Sequence, residues 1–142
     1  MDQRVCGIMF KGRELRFIAT RRSTSLFVPL EDLSAALSVA MSGADSKSWN
    51  NVLKRRLANG VDPTAKQRVY LDGRIMPTVS SGFVLMLCHS LGRLIQCDPS
   101  LAPAATGFAE FRRLIFKSLA TARRRFDSAE PALDRHPGPR AS

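Results

Sequence analysis

Three things are scarce in this sequence of 142 residues: cysteine, long apolar runs and acidic side chains. The strongest apolar run, from Phe83 to Leu87, is far shorter than the roughly 20 residues of a membrane-spanning helix. The N-terminal residues form no apolar signal-peptide core, so we expect no membrane segment. The three cysteines form no CxxC pair, and one stays unpaired in any disulfide scheme. We therefore expect reduced thiols and a cytoplasmic location.

Motifs for catalysis and cofactor binding are missing as well. The sequence contains no nucleophile motif, P-loop or dinucleotide fingerprint. Cys88, His89 and Cys97 lie close together but lack a fourth zinc ligand. His89 falls in a helix that we expect to be buried, where a packed or hydrogen-bonded ring is the simpler interpretation. The sequence thus predicts neither an enzyme nor a bound metal or cofactor.

Basic side chains are what the sequence has in excess. Lysine and arginine number 22 against 12 acidic residues, which gives a formal net charge of +10 and a pI near 10.8. Arginine accounts for 17 of these cations, and its planar fork fits phosphates and guanine edges better than a lysine ammonium does. Such a charge balance predicts a polyanionic partner. Apolar residues make up 44% of the chain, enough for a folded core.

The apolar periodicity predicts an α+β domain over residues 1–126, with two β-hairpins and about four helices. The first hairpin turns near Gly12 and leads to a short strand at 26–28, while the second turns at Asp72-Gly73. Helices are expected from Leu30, over 46–57, over 82–94 and over 107–125. Residues 127–142 hold three prolines and no apolar period, which predicts a disordered tail. The expected core comprises Phe10, Phe17, Phe27, Leu33, Leu37, Trp49, Phe83, Leu87, Phe111 and Ile115.

The predicted helix 46–57 is the strongest indication of nucleic-acid binding. Asp45 or Ser46 can cap its start, and an apolar stripe led by Trp49 can hold it against the domain. Its other positions are polar: asparagines can pair with adenine edges, and lysines and arginines can contact phosphates or guanine. The alternative is a solvated surface helix with ordinary charges. The candidate contacts on this helix are Lys47, Asn50, Asn51, Lys54, Arg55 and Arg56.

Two further basic clusters are candidate phosphate contacts. The last predicted helix carries Arg112, Arg113, Lys117 and the run Arg123 to Arg125. This run of three arginines can also complement the negative C-terminal end of the helix dipole. The candidate DNA contacts taken from this helix are Arg112, Arg113, Arg123 and Arg124. The loop after the first hairpin contributes Arg21 and Arg22, which can grip a phosphate backbone or remain solvated.

The order of elements resembles the BRO-N domain of phage antirepressors and baculovirus repeated-ORF proteins. The resemblance is carried by FKGRELRFI at 10–18, by LFVPLEDLSAAL at 26–37 and by TVSSGF at 78–83. Within 26–37, the places of the family's Phe-Val strand and acidic helix start are filled by Phe27, Val28, Asp32, Leu33, Ala36 and Leu37. The resemblance covers about residues 5–126 and implies a compact α+β DNA-binding domain encoded by a phage, prophage or other mobile element.

Three hypotheses for function remain open at this point. The first is a regulator that binds double-stranded DNA, in which case a homodimer would suit paired half-sites, although no heptad repeat is present. The second is an interaction module whose basic face binds an acidic protein such as a repressor. The third is an RNA-binding protein, although the second hairpin offers Tyr70 as its one aromatic side chain for base stacking.

Overall fold

Five antiparallel strands and four α-helices make up the fold. The structure is a computed structural model that describes residues 3–20, 25–58 and 66–134, with 66 and 128–134 as backbone only. The elements in chain order are β1 Gln3–Phe10, β2 Arg13–Thr20, β3 Leu26–Pro29, α1 Leu30–Ala40, α2 Ser46–Ala58, β4 Lys66–Leu71, β5 Arg74–Ser80, α3 Ser81–Cys97, a 3-10 helix Pro99–Ala104 and α4 Ala105–Asp134. The predicted α+β class is confirmed.

Both predicted hairpins form, and each is closed by a two-residue turn. Lys11 and Gly12 join β1 to β2 with φ angles of 47° and 84°, and Asp72 and Gly73 join β4 to β5 with 55° and 79°. Positive φ at both central residues gives a turn whose twist matches that of the flanking strands. Glycine accepts this conformation without strain, and Asp tolerates it better than most residues.

The sheet has the strand order β1-β2-β3-β5-β4 and curls strongly. Although β1 and β4 are its opposite edges, the Gln3 amide donates a hydrogen bond to the Tyr70 carbonyl at 2.6 Å. The curl encloses a small apolar cluster of Ile18, Phe27 and Val69 on the concave face. The larger core lies on the other face, beneath α1, α3 and α4.

The side chains that the sequence predicts as core are buried. Phe10 of β1 meets Phe111 of α4 edge to face, with 5.5 Å between ring centroids, and so ties the last helix to the sheet. Asp45 caps α2 by accepting from the Lys47 backbone N–H, and Ser80 caps α3 by accepting from that of Phe83. The buried residues that were predicted are Phe10, Phe17, Phe27, Leu33, Leu37, Trp49, Phe83, Leu87, Phe111 and Ile115.

Among the described residues, two sets of ion pairs join the sheet to α1, namely the exposed Arg74–Glu31 pair and a network around Arg16. The Arg16 side chain, 12% exposed, donates from Nε and Nη2 to the Asp32 carboxylate at 2.8 and 2.9 Å. It also contacts Asp72 in the β4–β5 turn. These carboxylates raise the pKa of Arg16 despite the opposing effect of burial. Asp32 lies in the acidic first turn of α1, where a carboxylate suits the helix dipole, and it also neutralises a nearly buried arginine.

Two helices differ from the prediction. Because α3 lies at the surface between α2 and α4, the expectation that it is buried all round is wrong. One side of it exposes Leu85, Met86, His89 and Arg93, so His89 is not the packed ring that we predicted. The last helix continues from Ala105 to Asp134 and thus takes in the first part of the predicted tail. Residues 135–142 lie outside the described part of the chain.

Candidate nucleic-acid interface

The polar face of α2 forms as the sequence predicts. Trp49 and Leu53 are buried. Lys47, Asn51 and Lys54 follow at helical spacing on the opposite face and are exposed. Since Asn50 is half-buried, Asn51 is the asparagine better placed to reach a ligand from solvent.

The two arginines of α2 turn toward α3 rather than joining Lys54. Arg56 donates to the Ser90 hydroxyl from Nη2 at 2.7 Å and from Nε at 3.1 Å, and its Nη1 lies 3.9 Å from the Met86 sulfur. Arg55 borders the same groove between the helices. The basic run 54–56 is therefore not uniform, because Arg56 also holds α2 against α3.

The groove between α2 and α3 adds an arginine that the sequence reading missed. This groove has a volume of about 490 Å³, and Arg93 of α3 lines it opposite Arg55 and Arg56. Arg93 stands alone in an apolar segment, so it joined no visible cluster. A charged side chain within this apolar segment was the signal that one side of α3 faces solvent.

On the other side of α3, a second groove of about 400 Å³ is bordered by Arg112 and Arg113 of α4. The Arg112 guanidinium lies over the Phe116 ring, 5.5 Å from its centroid. A side chain on Gly92 of α3 would come within 3.3 Å of Arg112 Nη1. Arg112 therefore lies between Phe116 and the backbone of α3 at the edge of the groove, where it stays exposed to solvent.

Further cations continue along the exposed side of α4. Arg113, Lys117 and Arg124 recur at helical spacing and are exposed. Arg113 and Arg124 are eleven residues apart, which corresponds to roughly 16 Å along the axis. Arg123 is exposed beside them. Arg125 instead points toward β1, where its Nη1 lies 3.5 Å from the Cys6 sulfur.

Five arginines from three helices thus line the two grooves that flank α3, and we call this set the arginine surface: Arg55, Arg56, Arg93, Arg112 and Arg113. Within the described residues, no carboxylate forms an ion pair with any of them.

Acidic side chains nearby are engaged elsewhere. Glu110 pairs with Lys11 at 2.8 Å, which lowers the pKa of Glu110, and the charge of Arg113 adds a smaller effect in the same direction. Asp98 accepts from Ser100 at the start of the 3-10 helix. Neither carboxylate forms an ion pair with the arginine surface, so its guanidinium groups can bond an external anion.

Among the residues chosen from sequence, the structure brings the α2 and α4 arginines to the two flanks of α3. Lys47, Asn51 and Lys54 lie on the outer face of α2, and Arg123 and Arg124 lie farther along α4. Arg21 and Arg22 fall outside the described residues.

The cysteines show no arrangement for chemistry. Burial raises the pKa of the Cys88 thiol to about 11, while Cys97 is exposed. The described part of the chain contains no group of three His, Cys, Asp or Glu side chains that could hold a metal ion. No described helix combines the length and apolar character needed to cross a bilayer.

Searches against protein-family models, curated proteins and solved structures find no match for this chain. The resemblance to the BRO-N domain therefore stays a prediction, and the functional argument depends on the arginine surface itself.

Proposed function

We propose that this protein is a DNA-binding regulator that grips double-stranded DNA with its arginine surface. The observation that carries the proposal is that five arginines line the two grooves flanking α3 without forming an ion pair among the described residues. Phosphate is the polyanion whose geometry suits guanidinium forks. Each phosphate neutralised releases condensed counterions, which gives affinity that depends steeply on salt.

Sequence selectivity would come from the outer face of α2. Asn51 is exposed there between Lys47 and Lys54, and an asparagine can bond an adenine edge in the major groove with two hydrogen bonds. The two lysines would contact phosphates and fix the helix in register. With the BRO-N resemblance, this division of roles supports an antirepressor-like regulator in the cytoplasm, encoded by a phage or other mobile element.

The proposal is tested by removing two charges from the arginine surface. Arg93→Gln with Arg113→Gln lowers the net charge from +10 to +8 without touching the Arg56–Ser90 contact or the Arg112–Phe116 stack. If each arginine neutralises one phosphate, the slope of log affinity against log salt becomes shallower by about 1.8. The measurement is fluorescence anisotropy with labelled duplex DNA across a salt series, on protein purified with nuclease.

A matched control removes the same charge from the β4–β5 hairpin. Arg68→Gln with Arg74→Gln also leaves +8, on a hairpin that packs on β3, α1 and α3. This variant breaks the Arg74–Glu31 ion pair, but both side chains are about half exposed, so this loss costs little stability. We expect the control to keep most of the original slope. Equal slopes for the two double variants would show that diffuse net charge, not the arginine surface, binds the DNA. Stronger binding of an RNA duplex of the same sequence would instead favour the RNA hypothesis.

A further inference from the structure

The groove between α3 and α4 has an apolar lining that phosphate contact does not explain. Its volume is about 400 Å³, and most of its lining is apolar, including Ile95, Phe108, Ala109 and Phe116. Phe116 is 46% exposed at the edge of the groove. Duplex DNA presents a charged, polar backbone and has no apolar group large enough to fill such a groove. A concave apolar site beside arginines therefore indicates a second kind of ligand.

The arginines at this groove limit the ligand further. Arg112 lies over the Phe116 ring and beside Gly92, and Arg113 borders the groove one position along α4. A ligand that fills the groove brings its neighbouring groups within reach of these two cations. Carboxylates satisfy them best, because ionised hydrogen bonds to a guanidinium are shorter and stronger than neutral ones.

We propose that this groove binds an acidic amphipathic helix of a partner protein. One or two large apolar side chains of that helix enter the groove, and its Asp or Glu residues pair with Arg112 and Arg113. Peptide helices commonly bind in this way, through apolar anchors spaced three or four residues apart. Because Arg112 and Arg113 also belong to the arginine surface, such a helix and DNA compete for the protein.

The binding test uses two synthetic peptides of equal charge. The first is a fluorescein-labelled 14-residue helix of Glu and Ala with Leu at positions i and i+4, and the second has Ser in place of both Leu residues. Anisotropy titrations at physiological salt should show at least about tenfold tighter binding of the Leu peptide, since burying one Leu side chain is worth this much or more. The Leu peptide should also displace labelled duplex DNA. Equal binding of the two peptides would overturn the proposal.

A groove-filling variant separates this site from general attraction. Ala109 lines the groove and is exposed, so Ala109→Leu occupies the groove without changing charge. Ala120 is an exposed alanine of the same helix that does not line the groove, and Ala120→Leu is the matched control. We expect Ala109→Leu to weaken the Leu peptide about tenfold and Ala120→Leu to leave it unchanged. Circular dichroism checks that both variants are folded.

DNA binding by the same variants keeps the two proposals distinguishable. Both leucine variants should bind duplex DNA within about twofold of the original protein, because neither removes a cation. If both variants bind the Leu peptide equally well, the groove is not its site and the proposal fails, whatever happens with DNA. If DNA binding is absent while the Leu peptide still depends on Ala109, the proposed DNA-binding function fails and the groove proposal stands.

Discussion

Replacing Gly107 with alanine should destabilise the protein, although alanine is the better helix former. Gly107 lies in the first turn of α4, where that helix crosses the end of α1. A Cβ atom there would come well under 3.0 Å from the carbonyl oxygen of Ala40. Alanine is favoured over glycine by up to about 1 kcal/mol inside a helix, but overpacking a close contact costs roughly 1–3 kcal/mol. Since the contacted atom is backbone, which cannot swing aside, we expect a net loss of about 1–2 kcal/mol.

Gly92→Ala is the matched control, because the same substitution meets a different neighbour. A Cβ at Gly92 would lie 3.3 Å from Arg112 Nη1 and 3.7 Å from Phe108 Cε2. The first of these is the far end of a flexible side chain, so this variant should be neutral or more stable by up to about 1 kcal/mol. Urea unfolding followed by circular dichroism measures both. A Gly107→Ala protein as stable as Gly92→Ala would refute the close crossing of α1 and α4, which places Arg112 and Arg113 beside α3.

Two further predictions concern the ion-pair network and the thiols. Asp32→Ala should lower the free energy of unfolding by roughly 2–4 kcal/mol because it leaves Arg16 nearly buried without its two-bond partner. Asp72→Asn removes an exposed carboxylate but keeps a residue that tolerates the positive φ of the turn, so it should cost about 1 kcal/mol or less. Equal losses in urea unfolding would contradict the assigned network. At pH 8, iodoacetamide should label Cys97 in the folded protein and Cys88 only after unfolding, because burial both shields the Cys88 thiol and raises its pKa to about 11. Mass spectrometry of peptides from the labelled native protein measures which cysteine has reacted. Labelling of Cys88 in the folded protein would show that α3 is less well packed than described.

Local features of the fold were predictable because they are encoded by neighbouring residues. Asp72-Gly73 supplies the two positive φ angles of a hairpin turn, and Ser80 supplies an oxygen at the start of α3. The core residues were predictable from apolar spacing alone. Each of these depends on a window of a few residues, which sequence patterns describe well.

Features that depend on distant contacts were not predictable in the same way. The apolar residues Leu85 and Met86 suggested a helix buried on all sides, but the position of α2 and α4 leaves them exposed. Arg93 gains its place in the arginine surface only when α2 packs beside it. The role of Arg16 as partner of Asp32 likewise depends on the packing of α1 on β2, which no periodicity in the sequence reveals.

The most direct test of the account is a titration of the unmodified protein into labelled duplex DNA at several salt concentrations. If the five residues of the arginine surface each neutralise one phosphate, log affinity falls with log salt at a slope of about −4.5. The account predicts a slope at least this steep, since Lys47, Lys54 and the later cations of α4 can add contacts. A slope near zero, or no binding at 50 mM salt, would contradict the claim that this surface binds DNA.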